Sequence, residues 1–303
     1  MKHFFAYPSA LLLGLALLAA PDAEAQQFSK RKQYNSIGVS LNAMNYFGDL
    51  VPKPSFSSLR FGATRPNVGL SITRRFYPRV SGRLALAYGR ITGDDDKSAD
   101  ASDPEAKYRN NRNLNFRNDI FEASAVAIVD LFENRNNYLK RPDFVPYVFG
   151  GVAGFVHNPK GEIKAGGPTP GRFVALQPLG TEGQNLDGSE NKPYSKTQFA
   201  IPFGGGIRYR INRNFDASFE IGFRKTFTDY LDDVSTTYAG VDLRSAEANY
   251  FGGGITKSTA GEFSGFNKKG GQRGTANEDD WYVQTGLSLN YILTPRIKNP
   301  KFR

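Results

Sequence analysis

Few residues in this chain have the type and spacing to do chemistry. There are two histidines and no cysteine. His3 lies in an N-terminal leader, which leaves His157 as the one imidazole available for catalysis. A histidine beside a serine and an acid near the outer leaflet would suit lipid modification, but no Gly-x-Ser-x-Gly elbow accompanies His157. A purely structural histidine fits the same facts. Asp94-Asp95-Asp96 and Asp229-x-x-Asp232-Asp233 are rich in oxygen donors and could hold calcium. Neither follows EF-hand spacing, and solvated loop charge explains both. Zinc has no Cys/His cluster to bind. The Gly runs at 204–206 and 252–254 lack phosphate-loop context. Asn111-Arg112-Asn113 could meet lipopolysaccharide phosphates or be ordinary polar surface. No cofactor, no metal and no nucleic-acid partner are expected, and the enzyme reading through His157 is the minor one.

Those residues sit in an exported frame. Lys2, the apolar run Leu11-Leu12-Leu13-Gly14-Leu15-Ala16-Leu17-Leu18-Ala19-Ala20 and the small-residue site Ala23-Glu24-Ala25 make residues 1–25 a signal peptide. The run falls short of the roughly 20 residues a spanning helix needs. Residues 26–33 form a short lead, 34–293 the main domain, and 294–303 a basic tail. The chain holds 39 Lys plus Arg against 29 Asp plus Glu, with 24 Phe, 15 Tyr and 32 Gly. Its mean hydropathy is −0.46. A membrane β-barrel is compatible with that value, because lipid-facing and lumen-facing residues average out.

Alternation supplies the elements. In Phe215–Arg224, Phe215, Ala217, Phe219, Ile221 and Phe223 share one face, and Asp216, Ser218, Glu220, Gly222 and Arg224 the other. Trp281–Leu293 repeats this with Trp281, Val283, Thr285, Leu287, Leu289, Tyr291 and Leu293. Segments 203–211 and 83–90 follow suit, with weaker versions at 37–45, 68–76, 120–132 and 147–156. Segment 120–132 is the least regular and alone admits a helix, because Val126 and Ile128 share a face with Glu122 and Asp130. The eight segments are joined by modest links at 77–81, 133–143 and 212–214. Four longer links run over 46–66, 92–112, 158–199 and 228–280.

This layout predicts an all-β fold: an eight-stranded antiparallel up-and-down transmembrane β-barrel with four long outer loops and short periplasmic turns. A soluble lipocalin-like barrel is the alternative, since alternation alone does not say which face is inside. Aromatics near segment ends (Phe76, Tyr77, Tyr147, Trp281, Tyr291) favour membrane girdles. Arg83, Arg90, Arg208, Arg210 and Arg224 are expected to point inward with Glu122, Asp130, Asp216 and Glu220. An interior filled by such ion pairs is the plain expectation, and a small pore the functional one.

Two motifs carry a family resemblance. One is Tyr46-Phe47-Gly48-Asp49-Leu50 at the end of the first segment. The other is Thr228-Asp229-Tyr230-Leu231-Asp232-Asp233-Val234-Ser235, which follows Gly206-Ile207-Arg208 and the strand over 215–227. The first resembles the end of the first strand in a family of outer-membrane proteins of Bacteroidota, and the second, more specific, resembles the PorG-like outer-membrane barrels of the type IX secretion system. The resemblance implies a non-enzymatic component in the cell outer membrane, among outer-membrane lipid and lipopolysaccharide. It also implies association with a periplasmic ring lipoprotein and its partner. Asp229, Tyr230, Leu231, Asp232, Asp233 and Ser235 are then the candidate loop or partner site. An orphan barrel with a structural or small-pore role is the alternative.

Overall fold

The computed structural model describes residues 32–294, apart from 52–60, 100, 105, 188, 190, 241–242 and 259. The expected signal peptide, most of the lead and the tail beyond Thr294 lie outside the described residues.

Eight long strands close a barrel: β1 (Asn35–Phe47), β2 (Arg65–Arg75), β3 (Val80–Asp94), β4 (Asn115–Asp130), β5 (Phe144–Glu162), β7 (Thr197–Arg210), β8 (Phe215–Thr226) and β9 (Trp281–Leu293). A ninth strand, β6 (Phe173–Ala175), only extends the outer end of β5. Each barrel strand pairs antiparallel with its neighbours in sequence. The first and last strands pair from Asn35↔Leu293 to Phe47↔Trp281, so no open edge remains. Segment 120–132 is a strand, not a helix. Val126 and Ile128 break its pattern because they form a small apolar cluster with Tyr147 and Phe149 inside the lumen.

The usual distribution of polarity is inverted. Leu70 is 64% exposed, Leu84 65% and Val152 65%, whereas Glu122 is 2% exposed and Asp130 1%. Water would not leave such a belt of Leu, Ile, Val and Phe around a soluble barrel, so this exterior faces lipid. The lipocalin-like alternative requires the opposite assignment of faces and is excluded on that ground.

The lumen is filled. Asp130 accepts from Arg75 at 2.8 Å and from Arg208 at 2.6 Å. Asp216 pairs with Arg141 at 2.7 Å, and Glu220 with Arg83 and with the Tyr147 hydroxyl at 2.6 Å. Glu122 accepts from Tyr282 at 2.7 Å and lies 3.4 Å from Arg224. Gly204 and Gly206 make room here: a Cβ at either would collide with β8 backbone and with Phe149 or Tyr147. Among the described residues the lumen keeps cavities of about 60 and 30 Å³, space for a few waters and not a channel.

Several expected orientations change. Arg90 points outward, because it shares parity with Leu84, Leu86 and Tyr88, and it pairs with Asp119 at 2.6 Å. Arg210 keeps the inward parity of Arg208 but sits at the turn end, bonded to Asp143. Tyr147 is a lumen residue 3% exposed, not a girdle aromatic. Strands also run past the expected ends, most clearly β5, which continues through His157-Asn158-Pro159-Lys160-Gly161-Glu162. Beyond the lipid the outer face need not be apolar, so alternation fades while the hydrogen-bond ladder continues.

Candidate functional site at the outer cap

The described parts of the four long loops pack together at the outer mouth. Among the described residues the larger of two buried apolar clusters lies here, not in mid-barrel. It joins Met44, Tyr46 and Leu50 from the first strand and loop to Leu176, Leu231, Val234, Phe251 and Tyr282. Within this cap the two sequence motifs meet. The Tyr46 hydroxyl lies 2.7 Å from Asp232 Oδ2 and 2.7 Å from Asp280 Oδ1. Gly48 closes over this contact, since a Cβ there would strike both Asp280 Oδ1 and the Tyr46 hydroxyl. Asp280 Oδ2 accepts from the Leu231 amide at 2.8 Å, and Asp232 Oδ1 from the Val234 amide at 2.9 Å.

That geometry fixes a proton. A tyrosine hydroxyl has one hydrogen and can donate to only one carboxylate. The second 2.7 Å contact is therefore a carboxyl O–H donating to the tyrosine oxygen. Asp232 and Asp280 share one proton across Tyr46. Burial pushes both acids well above the ordinary carboxylate range, and facing acids add to it: Asp49 for Asp232, and Asp232 with Asp229 for Asp280. Asp229 is pushed up to about 9, mainly by burial and then by Asp49, Asp232 and Glu182, with the Ser235 hydroxyl as the opposing influence. No donor meets hydrogen-bond geometry at either buried Asp229 oxygen.

The rest of the motif is held by loop three. Asp233 has φ 69°, a left-handed conformation that Asp tolerates better than most residues. Its carboxylate accepts from Thr181 at 2.6 Å and Tyr194 at 2.7 Å. Burial raises it to about 6, against the pull of Arg273, Thr181 and Tyr194. Glu182 accepts from Arg273 at 2.8 Å, the Ser235 amide at 2.9 Å and the Thr236 hydroxyl at 2.6 Å. Arg112 grips Asp95 bidentately at 2.7 and 2.9 Å and donates to the Arg273 carbonyl, tying loop two to loop four.

The structure thus brings Asp229, Leu231, Asp232, Asp233 and Ser235 together as buried residues, with Tyr230 half-buried. They face the interior of the cap, not the surface. The two acidic clusters do not converge on a cation. Asp94 caps a short helix, Asp95 serves Arg112 and Asp96 bonds Lys257. Among the described residues no three acidic or imidazole side chains gather in metal-binding geometry. Arg112, weighed as a phosphate contact, is buried in its ion pair.

His157 also points inward and is 1% exposed. Its Nε2 lies 3.2 Å from the Ser195 carbonyl and its Nδ1 3.3 Å from Asn118 Nδ2. A carbonyl only accepts, so Nε2 carries the hydrogen and Nδ1 accepts from the amide. Both ring nitrogens are engaged. The ring stacks on Tyr194, which stacks on Tyr230 at 4.5 Å. Sequence reasoning missed Glu182, Tyr194, Arg273 and Asp280. In polar, Gly-rich loops they look like any solvated residue, and only their convergence distinguishes them.

Fold and site together define a membrane-spanning eight-stranded barrel with a filled lumen and a hydrogen-bonded outer cap. Residues 24–165, under half of the chain, match a protein-family profile described as a domain of unknown function (DUF6089). No curated protein matches. Solved structures similar in architecture include Ail, the attachment invasion locus protein of Yersinia pestis, at 8% identity and TM-score 0.38, over 86% of this chain and 99% of that one. Neisserial surface protein A aligns at 10% and 0.37, over 85% and 96%. OprG from Pseudomonas aeruginosa aligns at 8% and 0.38, over 88% and 98%. The architecture itself rests on the strand register.

Proposed function

We propose that this chain is a non-enzymatic barrel of the outer membrane that acts as a component and anchor of the type IX protein secretion machinery. In this reading it associates on its periplasmic side with a ring lipoprotein and that lipoprotein's partner. The observation that carries the anchor part is the pairing of a lipid-facing belt with a lumen blocked by ion pairs. Such a body holds its place in a bilayer without conducting. The signal peptide expected over residues 1–25 is consistent with the outer membrane as its location. The secretion role draws on the resemblance carried by the Thr228–Ser235 run, which meets the Tyr46 motif at Asp232.

The test is affinity purification of a tagged full chain from gently solubilised outer membranes, followed by mass spectrometry. Recovery of large periplasmic ring proteins is expected. Recovery of the barrel alone, across several mild detergents, would leave an outer-membrane barrel without the secretion role.

A further inference from the structure

We infer that the outer rim over β3, β4 and β5 binds the phosphate-bearing headgroup of an outer-leaflet glycolipid, through Arg117 and Lys160 with Arg90 beside them. The inference rests on the outer-membrane reading and adds a site to it. The strand register arranges the rim in rows. The last apolar row is Tyr88–Phe121–Val156, each about half exposed. One pleat further out lie Arg90, Asp119 and Asn158, and one pleat beyond them Thr92, Arg117 and Lys160. All share the outward parity of the belt. Two residues of strand advance roughly 7 Å, so these rows stand roughly 7 and 13 Å beyond the last apolar row along tilted strands. Long basic side chains at that height reach the headgroup layer.

The charges are placed for an anion. Arg90 already satisfies Asp119 at 2.6 Å. Arg117 Cζ sits over the Phe173 ring, 3.5 Å from its centroid, and its buried Nε has no acceptor. The ring fixes the guanidinium and leaves its edge for a phosphate. Lys160 has no ion pair or hydrogen-bond partner for its ammonium among the described residues. The next row out carries Asp94 and Glu162, with Asp94 held by Lys164 at 3.2 Å. The outward-facing cations Arg117 and Lys160 therefore stand at lipid-headgroup depth, below the acidic row. The opposite rim differs: beside Trp281 stand Glu278 and Asp279, with Lys225 bound to Asp279 at 2.8 Å. A cationic row at this rim, directly above exposed aliphatic and aromatic side chains, matches an acylated phosphate ester.

The experiment is native mass spectrometry of the detergent-solubilised full chain with added diphosphoryl lipid A, its dephosphorylated form, and phosphatidylcholine. The wild type should retain the diphosphoryl lipid selectively. Arg117→Ala combined with Lys160→Ala should weaken that retention about 30-fold, taking roughly 1 kcal/mol per basic residue at a membrane surface. Phosphatidylcholine binding should not change, Arg117→Lys should keep most of the retention, and Lys268→Ala with Lys269→Ala should be neutral. Equal retention by the double variant, or of the dephosphorylated lipid by the wild type, overturns the site. Displacement by equimolar glycerol phosphate would also overturn it, since a soluble ester would then be the ligand. Heat-modifiable migration confirms that each variant is folded. Failure of the wild type to fractionate with outer membranes would instead defeat the membrane reading.

Discussion

Replacing Tyr46 by Phe removes one oxygen and two 2.7 Å hydrogen bonds from the cap. It leaves Asp232 and Asp280, both buried, facing each other without the atom that mediates their shared proton. Orphaning a buried polar partner costs roughly 1–3 kcal/mol, so opening of the cap should become easier by about 2–5 kcal/mol. Asp232→Asn should behave oppositely. Its amide oxygen still accepts from the Val234 amide, and its NH₂ donates to the Tyr46 oxygen as the protonated carboxyl does. The Tyr46 hydroxyl then donates to Asp280. The hydrogen-bond pattern is conserved, and the change should stay within about 1 kcal/mol. Hydrogen exchange at the Leu231 and Val234 amides in detergent at pH 7 measures the opening, and limited proteolysis of the last loop gives an independent readout. Equal damage from Asp232→Asn and Tyr46→Phe, or no effect of Tyr46→Phe, would refute the shared proton.

Four further outcomes follow from the same geometry. The closed cap holds one proton on Asp229 and one shared by Asp232 and Asp280, which an opened cap would release, so its stability is fullest near the ordinary carboxyl range, at about pH 4. It should fall as pH rises toward about 9, where Asp229 ionises, by up to roughly 1.4 kcal/mol per unit for each proton, and Asp229→Asn should flatten protease resistance across that window. Asp130→Ala strands Arg75 and Arg208 in the lumen and should cost about 3–5 kcal/mol, seen as a lower unfolding temperature by heat-modifiable migration. Leu86→Arg places a charge on the belt and should cost about 2–4 kcal/mol of barrel stability if lipid covers it, whereas an exposed site in water would tolerate it. Purified wild type in planar bilayers should give no unitary conductance; steady ion current would contradict the filled lumen.

Alternation of polarity with period two was legible for seven of the eight strands because a lipid face and a lumen face impose opposite chemistry on adjacent residues. It failed where that contrast fails. Val126 and Ile128 obscured β4 because the lumen there is apolar, and Arg90, which keeps the outward parity of Leu84, Leu86 and Tyr88, was expected inside only because it is charged. The loop residues resisted for a different reason. Asp232, Tyr46 and Asp280 are separated by 186 and 234 positions, and no local pattern marks an acid that will be buried.

By itself, then, the chain of residues determined the class of fold, the order of strands and turns, and the two motifs worth watching, because pleat and turn chemistry are local. The tertiary structure decided which face meets lipid, that the lumen is filled, and that the acidic motif is interior rather than displayed. Those depend on which distant side chains meet. Charge, burial and proton sharing belong to the assembled site and to no segment of it.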